Sequence, residues 1–229
     1  MKISVITSAL YTMKDSQTYA TALQAVPAAT RRRLSSYAKT LLSAVFDIIE
    51  RVPAAAQVPV VLASRHGDLR RTIDLLQELV KGEPLSPTQF CLSVNNAVLG
   101  QLSMLTNNGS AMTTVGAGPD SFAYAWLEGI TQLAESPTVL ILYADEQPPE
   151  PYTAHCDSPE TGIAFAALLS RNVPPDVSQV QFDCSQSTAQ PTVANVIQVA
   201  ERLHQAIQNG HGTVHMENAK HRWSWHVAS

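Results

Sequence analysis

The chain has 229 residues, of which 45% are hydrophobic and 15% charged, which excludes a disordered polymer and supplies ample apolar material for a core. Its net charge of −4 and pI near 5.9 give no electrostatic basis for binding nucleic acid. No apolar run approaches the roughly 20 residues needed to cross a bilayer, and one Lys ahead of a short apolar run does not make a secretory signal at the N-terminus.

Ile3–Leu10 is short and rich in β-branched residues, which predicts a strand. The polar, alanine-rich stretch after it reads as loop with some helix. From Arg31 to Val52, apolar residues at Leu34, Tyr37, Leu41, Val45 and Ile48 or Ile49 recur every three to four positions. That spacing predicts an amphipathic helix stopped by Pro53, with Arg31–Arg33 as its solvated start. Val58–Ala63 is continuously apolar, as a buried strand is. Leu69, Ile73, Leu76 and Val80 mark a second helix, closed by Lys81-Gly82. Pro84 and Pro87 keep the next segment extended. Val94–Leu105 reads as a helix despite Gly100, which costs about 1 kcal/mol relative to Ala and implies close helix packing.

Thr113–Val115 is β-prone, Gly116-Ala117-Gly118-Pro119 is a turn, and Asp120–Ala134 is helical. Pro119 suits a first helical turn, where its missing N–H costs nothing. Phe122, Ala125, Trp126, Gly129 and Leu133 share one side of that helix, so it is largely buried. Thr138–Ala144 is the most hydrophobic run and belongs at the centre of a sheet. Gln147–Pro159 is a proline-rich loop. Gly162–Leu169 reads equally as strand or helix from its residues. Val177–Cys184 is a strand, and Val193, Val196, Ile197, Ala200, Leu203 and Ile207 mark a last helix ended by Asn209-Gly210. The tail is polar, with Trp223 and Trp225 on one face of a possible strand that covers an apolar edge. Alternating strands and helices through the first 145 residues predict an α/β fold with a mainly parallel sheet. With no repeat and no linker, residues 1–229 form one domain, the tail 210–229 included.

The candidates for chemistry are few. Cys91, Cys156 and Cys184 are odd in number and lack paired spacing, which suggests reduced thiols in the cytoplasm. Cys91 lies between Phe90 and Leu92 and reads as an inert core thiol. Ser64, His66 and Asp68 tempt a triad reading, but residues so close in sequence seldom form one hydrogen-bonded line; a helix cap from Gly67-Asp68 fits better. Asn95 and Asn96 stand at a helix start, as caps or as polar lining of a pocket. His211 and His215 are four apart, yet Gly212 and Thr213 oppose a helix there, so no metal site is assigned. Asp145-Glu146 ends the central strand, a common site position, but reads as a solvated turn. A strand breaking sharply into a helix, as at Gly116–Ser121, is where many enzymes place a nucleophile; here the turn holds only Gly, Ala and Pro.

Ser64-Arg65-His66-Gly67, Ser86-Pro87-Thr88 with Phe90, Ser93-Val94-Asn95-Asn96, the Gly116–Ser121 turn and the strand ending Ala144-Asp145-Glu146 together resemble the N-terminal half of a β-ketoacyl synthase. The chain is most similar to the small chain-length-factor-like members found with aryl-polyene and related polyketide genes. The resemblance covers nearly the whole chain. It implies half of a thiolase-like fold, with a mostly parallel five-stranded sheet and flanking helices, and it turns Gly162–Leu169 into a strand antiparallel to its neighbour. It puts Gly118 at the position of the acyl-accepting Cys, so no catalytic residue is assigned; Asn95, Asn96, Gly116, Ala117, Gly118 and Ser121 line the turn and pocket. The family often has His where this chain has Asn95. A full synthase continues into a second half with two catalytic His residues, and this chain ends at Ser229. The implied role is a non-condensing accessory subunit of fatty-acid or polyketide synthesis in the cytoplasm. It has no cofactor, and a catalytic ketosynthase, an acyl carrier protein or a second copy of itself is its partner. Two rivals remain: an acyl-group hydrolase or transferase using Ser121 or an activated water at the glycine turn, and a structural scaffold.

Overall fold

A computed structural model describes residues 1–12, 21–155, 162–172, 177–187 and 195–229. The main elements are β1 (Lys2–Thr12), α1 (Ser36–Arg51), β2 (Val60–Ala63), α2 (Leu69–Val80), α3 (Ala97–Thr106), β3 (Met112–Val115), α4 (Ser121–Gln132), β4 (Thr138–Asp145), β5 (Ile163–Ser170), β6 (Ser178–Gln186), α5 (Val196–Asn209), β7 (Gly212–Glu217) and β8 (His221–Ala228). Most follow the hydrophobic periodicity to within a few residues. The predicted Arg31–Val52 helix is two pieces. A single turn, Ala28–Arg31, precedes α1, and Ser35 starts α1 afresh by accepting the Ala38 N–H at 3.1 Å.

The eight strands form one sheet in the order β3-β2-β4-β5-β1-β6-β8-β7. Only β3, β2 and β4 are parallel; every other neighbouring pair is antiparallel. This corrects the mostly parallel five-stranded expectation. Within the parallel part, the connections from β2 to β3 and from β3 to β4 each carry a helix, as parallel pairing requires. After β4 the connections change character, and β5 runs antiparallel between β4 and β1.

The tail supplies the other surprise. Residues 212–228 are the β7–β8 hairpin, joined to the sheet through β6. Trp223 and Trp225 are buried at 2% and 0% exposure, so they build the core rather than shield its edge. Strict alternation produces this face: Val214 and Met216 point in with Trp223, Trp225 and Val227, while His215 and His226 point out.

Two cores lie on opposite faces of the sheet. One gathers α4, α5 and the inward residues of β4, β5, β6 and β8; the other gathers α1 and α3. In the first, Phe122 of α4 meets Tyr143, Phe165 and Trp225 at ring-centroid distances of 5.3, 5.3 and 5.6 Å. An aromatic of this size buries 150–250 Å², worth about 4–6 kcal/mol at 25 cal/mol/Å². Gly129 lets α4 sit close to the sheet, because a Cβ there would lie 2.2 Å from Ile141 Cγ2 and 3.3 Å from Leu169 Cδ1. Gly100 plays no such part: a Cβ on it would meet nothing within 4 Å, which overturns the close-packing expectation.

Gly129→Val is expected to destabilise the protein by about 1–3 kcal/mol through overpacking, read as a lower denaturant midpoint. Gly100→Ala is expected to stabilise it by up to about 1 kcal/mol, since it removes a helix-interior glycine into open space.

Candidate functional site

The register of the parallel strands assembles the site. Ala63 pairs with both Val115 and Tyr143, so β2, β3 and β4 end level with one another. Their carboxyl ends therefore bring three sequence motifs to one place: Ser64–Asp68, Gly116–Ser121 and Asp145-Glu146. Ligand sites in α/β sheets commonly occupy this edge.

Asp145 is the hub of the first and third motifs. It is 1% exposed, and its carboxylate accepts from Ser64 Oγ at 2.8 Å, the Arg65 N–H at 3.0 Å, the His66 N–H at 2.9 Å and Tyr143 Oη at 2.5 Å. Ser64 Oγ in turn accepts the Gly67 N–H at 2.8 Å. Glu146 is also buried, at 6%, and accepts from Ser36 Oγ at 2.5 Å. The solvated-turn reading of Asp145-Glu146 is thus overturned. β4 is central and carries both carboxylates into the protein, where fixed donors replace water.

The same burial tunes the neighbouring groups. It pushes Glu146 above the usual carboxylate range, against the opposing pull of the Ser36 hydroxyl. It raises Tyr143, reinforced by the Asp145 charge. It lowers His66, with Asp145 pulling the other way. Ser64, His66 and Asp68 do not form a triad. Ser64 serves Asp145 and Gly67, while Asp68 binds Arg71 Nε at 3.1 Å. Asp68 precedes α2 without capping it through its side chain, which corrects the cap expectation.

The glycine turn is built from within. Gly118 has φ of +55°, a left-handed backbone that favours glycine, and Gly118–Asp120 make one 3₁₀ turn into α4. Ser121 Oγ donates to the Gly118 carbonyl at 2.8 Å and accepts the Ala117 N–H at 3.0 Å, and Ser121 is 1% exposed. Its hydroxyl closes the turn and is already committed there. A Cβ on Gly118 would meet no atom within 4 Å, so space opens beside it, and Gly116 is exposed.

Asp120 ties this turn to the C-terminal hairpin, a link the sequence reading missed. Its carboxylate accepts from Trp223 Nε1 at 2.7 Å, contacts His221 Nδ1 at 3.0 Å, and also binds the Asn218 amide. The signal was a carboxylate in a first helical turn and a tail rich in Trp and His. Only the strand order puts residues 98 or more positions apart in contact.

Asn95 and Asn96 do not cap α3 through their side chains, contrary to one reading of them. Asn95 instead lies against Gly67, where a Cβ would sit 2.1 Å from Asn95 Oδ1. This joins the Ser64–Asp68 loop to the start of α3, with Gly67 at φ +64°. Asn96 is exposed. Cys91 is exposed rather than packed in the core, because it ends a short helical turn, Pro87–Cys91, with no buried residue. Cys184 is a second free thiol, raised by burial and by the Asp120 charge. Cys156, Val193 and residues 156–159 at the end of the proline-rich loop lie outside the described residues. Among the described residues no group of three or more His, Cys, Asp or Glu is arranged to hold a metal ion.

The model of the family described as β-ketoacyl synthase, N-terminal domain, matches residues 8–226. The chain belongs to that family. Its fold is thiolase-like. A solved ketosynthase (ApeO) in complex with its chain length factor (ApeC), from Xenorhabdus doucetiae, is similar over 99% of this chain and 99% of the other, at 21% identity and a TM-score of 0.81. The type II polyketide assembly AntDE:AntF, an acyl carrier protein with its ketosynthase bound to the hexaketide, aligns over 100% and 99% of the two chains at 10% identity and a TM-score of 0.66. The ishigamide ketosynthase/chain length factor aligns over 91% and 74% at 14% identity and a TM-score of 0.63. No curated protein matches. In this β-ketoacyl-synthase-like chain the strand-to-helix turn and the polar loop after β2 sit side by side, without a Cys in the turn.

Asp145→Ala leaves two hydroxyls and two backbone N–H groups without their acceptor, and is expected to cost at least about 3 kcal/mol, measured by chemical denaturation. For Glu146 the folded pKa lies above the unfolded 4.5. Its contribution is therefore fully present below about pH 4.5 and is lost as pH rises through the higher folded value. Glu146→Gln is expected to remove that loss, so the stability of the variant relative to the parent rises from pH 4.5 toward neutrality.

Proposed function

We propose that this chain is a non-condensing β-ketoacyl-synthase-like subunit that works beside a catalytic ketosynthase in fatty-acid or polyketide assembly, of the aryl-polyene kind by resemblance. The observation that carries the reading is the turn between β3 and α4. Condensation needs a thiolate to hold the acyl group and donors to stabilise the oxyanion. The turn offers backbone N–H groups beside the open space at Gly118, but its residues are Gly, Ala, Gly, Pro and Asp, and the nearby Ser121 hydroxyl is spent on the turn itself. A partner must therefore bring the nucleophile, and the single domain of this chain shapes the neighbourhood into which the growing acyl chain runs. Asn95, Asn96 and the Gly116–Ser121 turn are the residues assigned to that wall. The site of action is the cytoplasm; no helix among the described residues is long and apolar enough to cross a membrane.

Two features support pairing. β3 is an edge strand whose residues are all half-buried, and Thr114 Oγ1 is buried there without a partner. An edge strand presents unpaired N–H and C=O groups to any chain that can extend the sheet. The α2 and α3 region also exposes Leu79 at 59%, Val80 at 86%, Phe90 at 60% and Met104 at 78%, more apolar surface than isolated residues explain. Similar solved assemblies pair a ketosynthase with a chain length factor, or with an acyl carrier protein.

The hydrolase or transferase alternative through Ser121 draws no support from this geometry, since the hydroxyl is 1% exposed and bonded on both sides.

Gentle purification of the tagged chain from its own host, with mass spectrometry of what accompanies it, is expected to recover a ketosynthase in stoichiometric amount. Recovery of a homodimer alone would favour self-pairing. An acyl group found covalently attached to this chain after incubation with acyl carrier protein would overturn the non-condensing reading.

A further inference from the structure

The outer face of the β7–β8 hairpin carries two imidazoles that the proposed acyl chemistry does not use. In the register of the hairpin, His215 lies opposite Ser224 and His226 opposite Thr213. Strand alternation puts all four on the outer face, while Val214, Met216, Trp223, Trp225 and Val227 are buried on the inner one. The two rings are diagonal neighbours across the strands, with centroids 6.0 Å apart and planes at 78°.

The ring contacts are reciprocal. His215 Nδ1 lies 2.9 Å from Ser224 Oγ, and His226 Nδ1 lies 3.1 Å from Thr213 Oγ1. Each strand thus gives one imidazole and the hydroxyl that holds the other. In the tautomer whose Nδ1–H donates to that hydroxyl, Nε2 bears the lone pair. A metal-ligating His is oriented in this manner, one nitrogen fixed by a hydrogen bond and the other turned to the ion. A metal–nitrogen distance of about 2.0–2.1 Å sets the ring centroids of two His on one ion roughly 5–6.5 Å apart. The separation of 6.0 Å falls inside that range.

Protonation and charge fit a cation. Partial burial, with Arg222 and His226 adding to it, lowers the pKa of His215 and favours the neutral, ligating ring; Glu217 pulls the other way. Glu217 and Arg222 face each other in the register, so their charges offset beside His215. Asp183, opposite Ser224 on β6, is engaged by Gln181 Nε2 at 2.9 Å and by the N-terminal ammonium at 3.8 Å. No third His, Cys, Asp or Glu joins the pair among the described residues. Imidazole suits Zn²⁺, Cu²⁺ and Ni²⁺, whereas Mg²⁺ and Ca²⁺ take oxygen ligands. We infer that this face is a two-histidine site for a divalent transition metal of the zinc, copper and nickel class, ligated by Nε2 of His215 and His226 and otherwise by solvent. The ion bridges β7 to β8 on the face opposite the buried tryptophans. The inference rests on the hairpin alone and stands independently of the acyl-chemistry reading.

Untagged protein titrated with zinc chloride, and separately with nickel chloride, is expected to bind one equivalent, with a rise in the thermal midpoint as metal is added. His215→Gln and His226→Gln are each expected to weaken binding at least about tenfold. Both side chains lie outside the core, so each variant should match the parent's midpoint without metal. His211→Gln, at the neighbouring exposed imidazole, should bind like the parent. Anomalous diffraction from zinc-soaked crystals is expected to show a peak about 2.0–2.1 Å from both Nε2 atoms. Lack of saturable binding up to about 1 mM of either metal would overturn the inference. So would binding that both ligand variants retain, binding lost with His211→Gln, or a peak on other residues.

Discussion

The carboxylate of Asp145 is the constraint on which the site depends. A charge at the end of a central strand, 1% exposed, is tolerable only because four donors converge on it. Two of those donors are backbone N–H groups of Arg65 and His66, so the carboxylate dictates the path of the chain after β2 as well as its own solvation. The Ser64 hydroxyl transmits the order one step further, to Gly67, and Gly67 receives Asn95. One buried charge thereby reaches from β4 to the start of α3. The neighbouring Glu146 takes the other response to burial: it has one short hydroxyl contact and is shifted toward its neutral form.

The opposite wall of the site follows a different logic. The Gly116–Ser121 turn holds itself through Ser121 and is then anchored from behind by Asp120, which reaches the Trp223 indole and the His221 ring of the C-terminal hairpin. A turn with a free left-handed glycine would be pliable in isolation. Here the hairpin, the aromatic core under α4 and the 3₁₀ turn hold it from three directions. Rigidity without a nucleophile suits a surface that shapes or receives a chain more than one that attacks it. The edge strand β3 and the exposed apolar residues of α2 and α3 form the face on which the proposed partner subunit would complete the arrangement.

The parts legible in the sequence share a physical basis. Helices α1, α2, α4 and α5 and strands β2 and β4 declare themselves because each buries one periodic stripe or one continuous apolar run, and burial demands that pattern whatever the neighbours are. The motifs at Ser64–Gly67, Asn95 and Gly116–Ser121 were also readable as a group, and they do converge. What failed were judgments about environment. Asp145 and Glu146 looked solvated because charge predicts exposure on average; their burial depends on donors contributed from β2, α1 and Tyr143. Cys91 looked buried because its neighbours are apolar, yet its short helical turn packs no residue inward. Gly100 looked like a contact and faces open space.

The sequence by itself determined the segmentation of the chain, the family to which it belongs and the lack of a thiol in the strand-to-helix turn, since these depend on local patterns and residue identity. Only the tertiary structure decided that the sheet has eight strands and is largely antiparallel, that the tail is a core hairpin, and that Asp145 and Asp120 organise the site. Strand order and hydrogen-bond partnership join residues far apart in the chain, 103 positions for Asp120 and Trp223 and 196 for Ser8 and His204. No window along the chain contains both ends of such a contact, so its energy is set by topology rather than by local sequence.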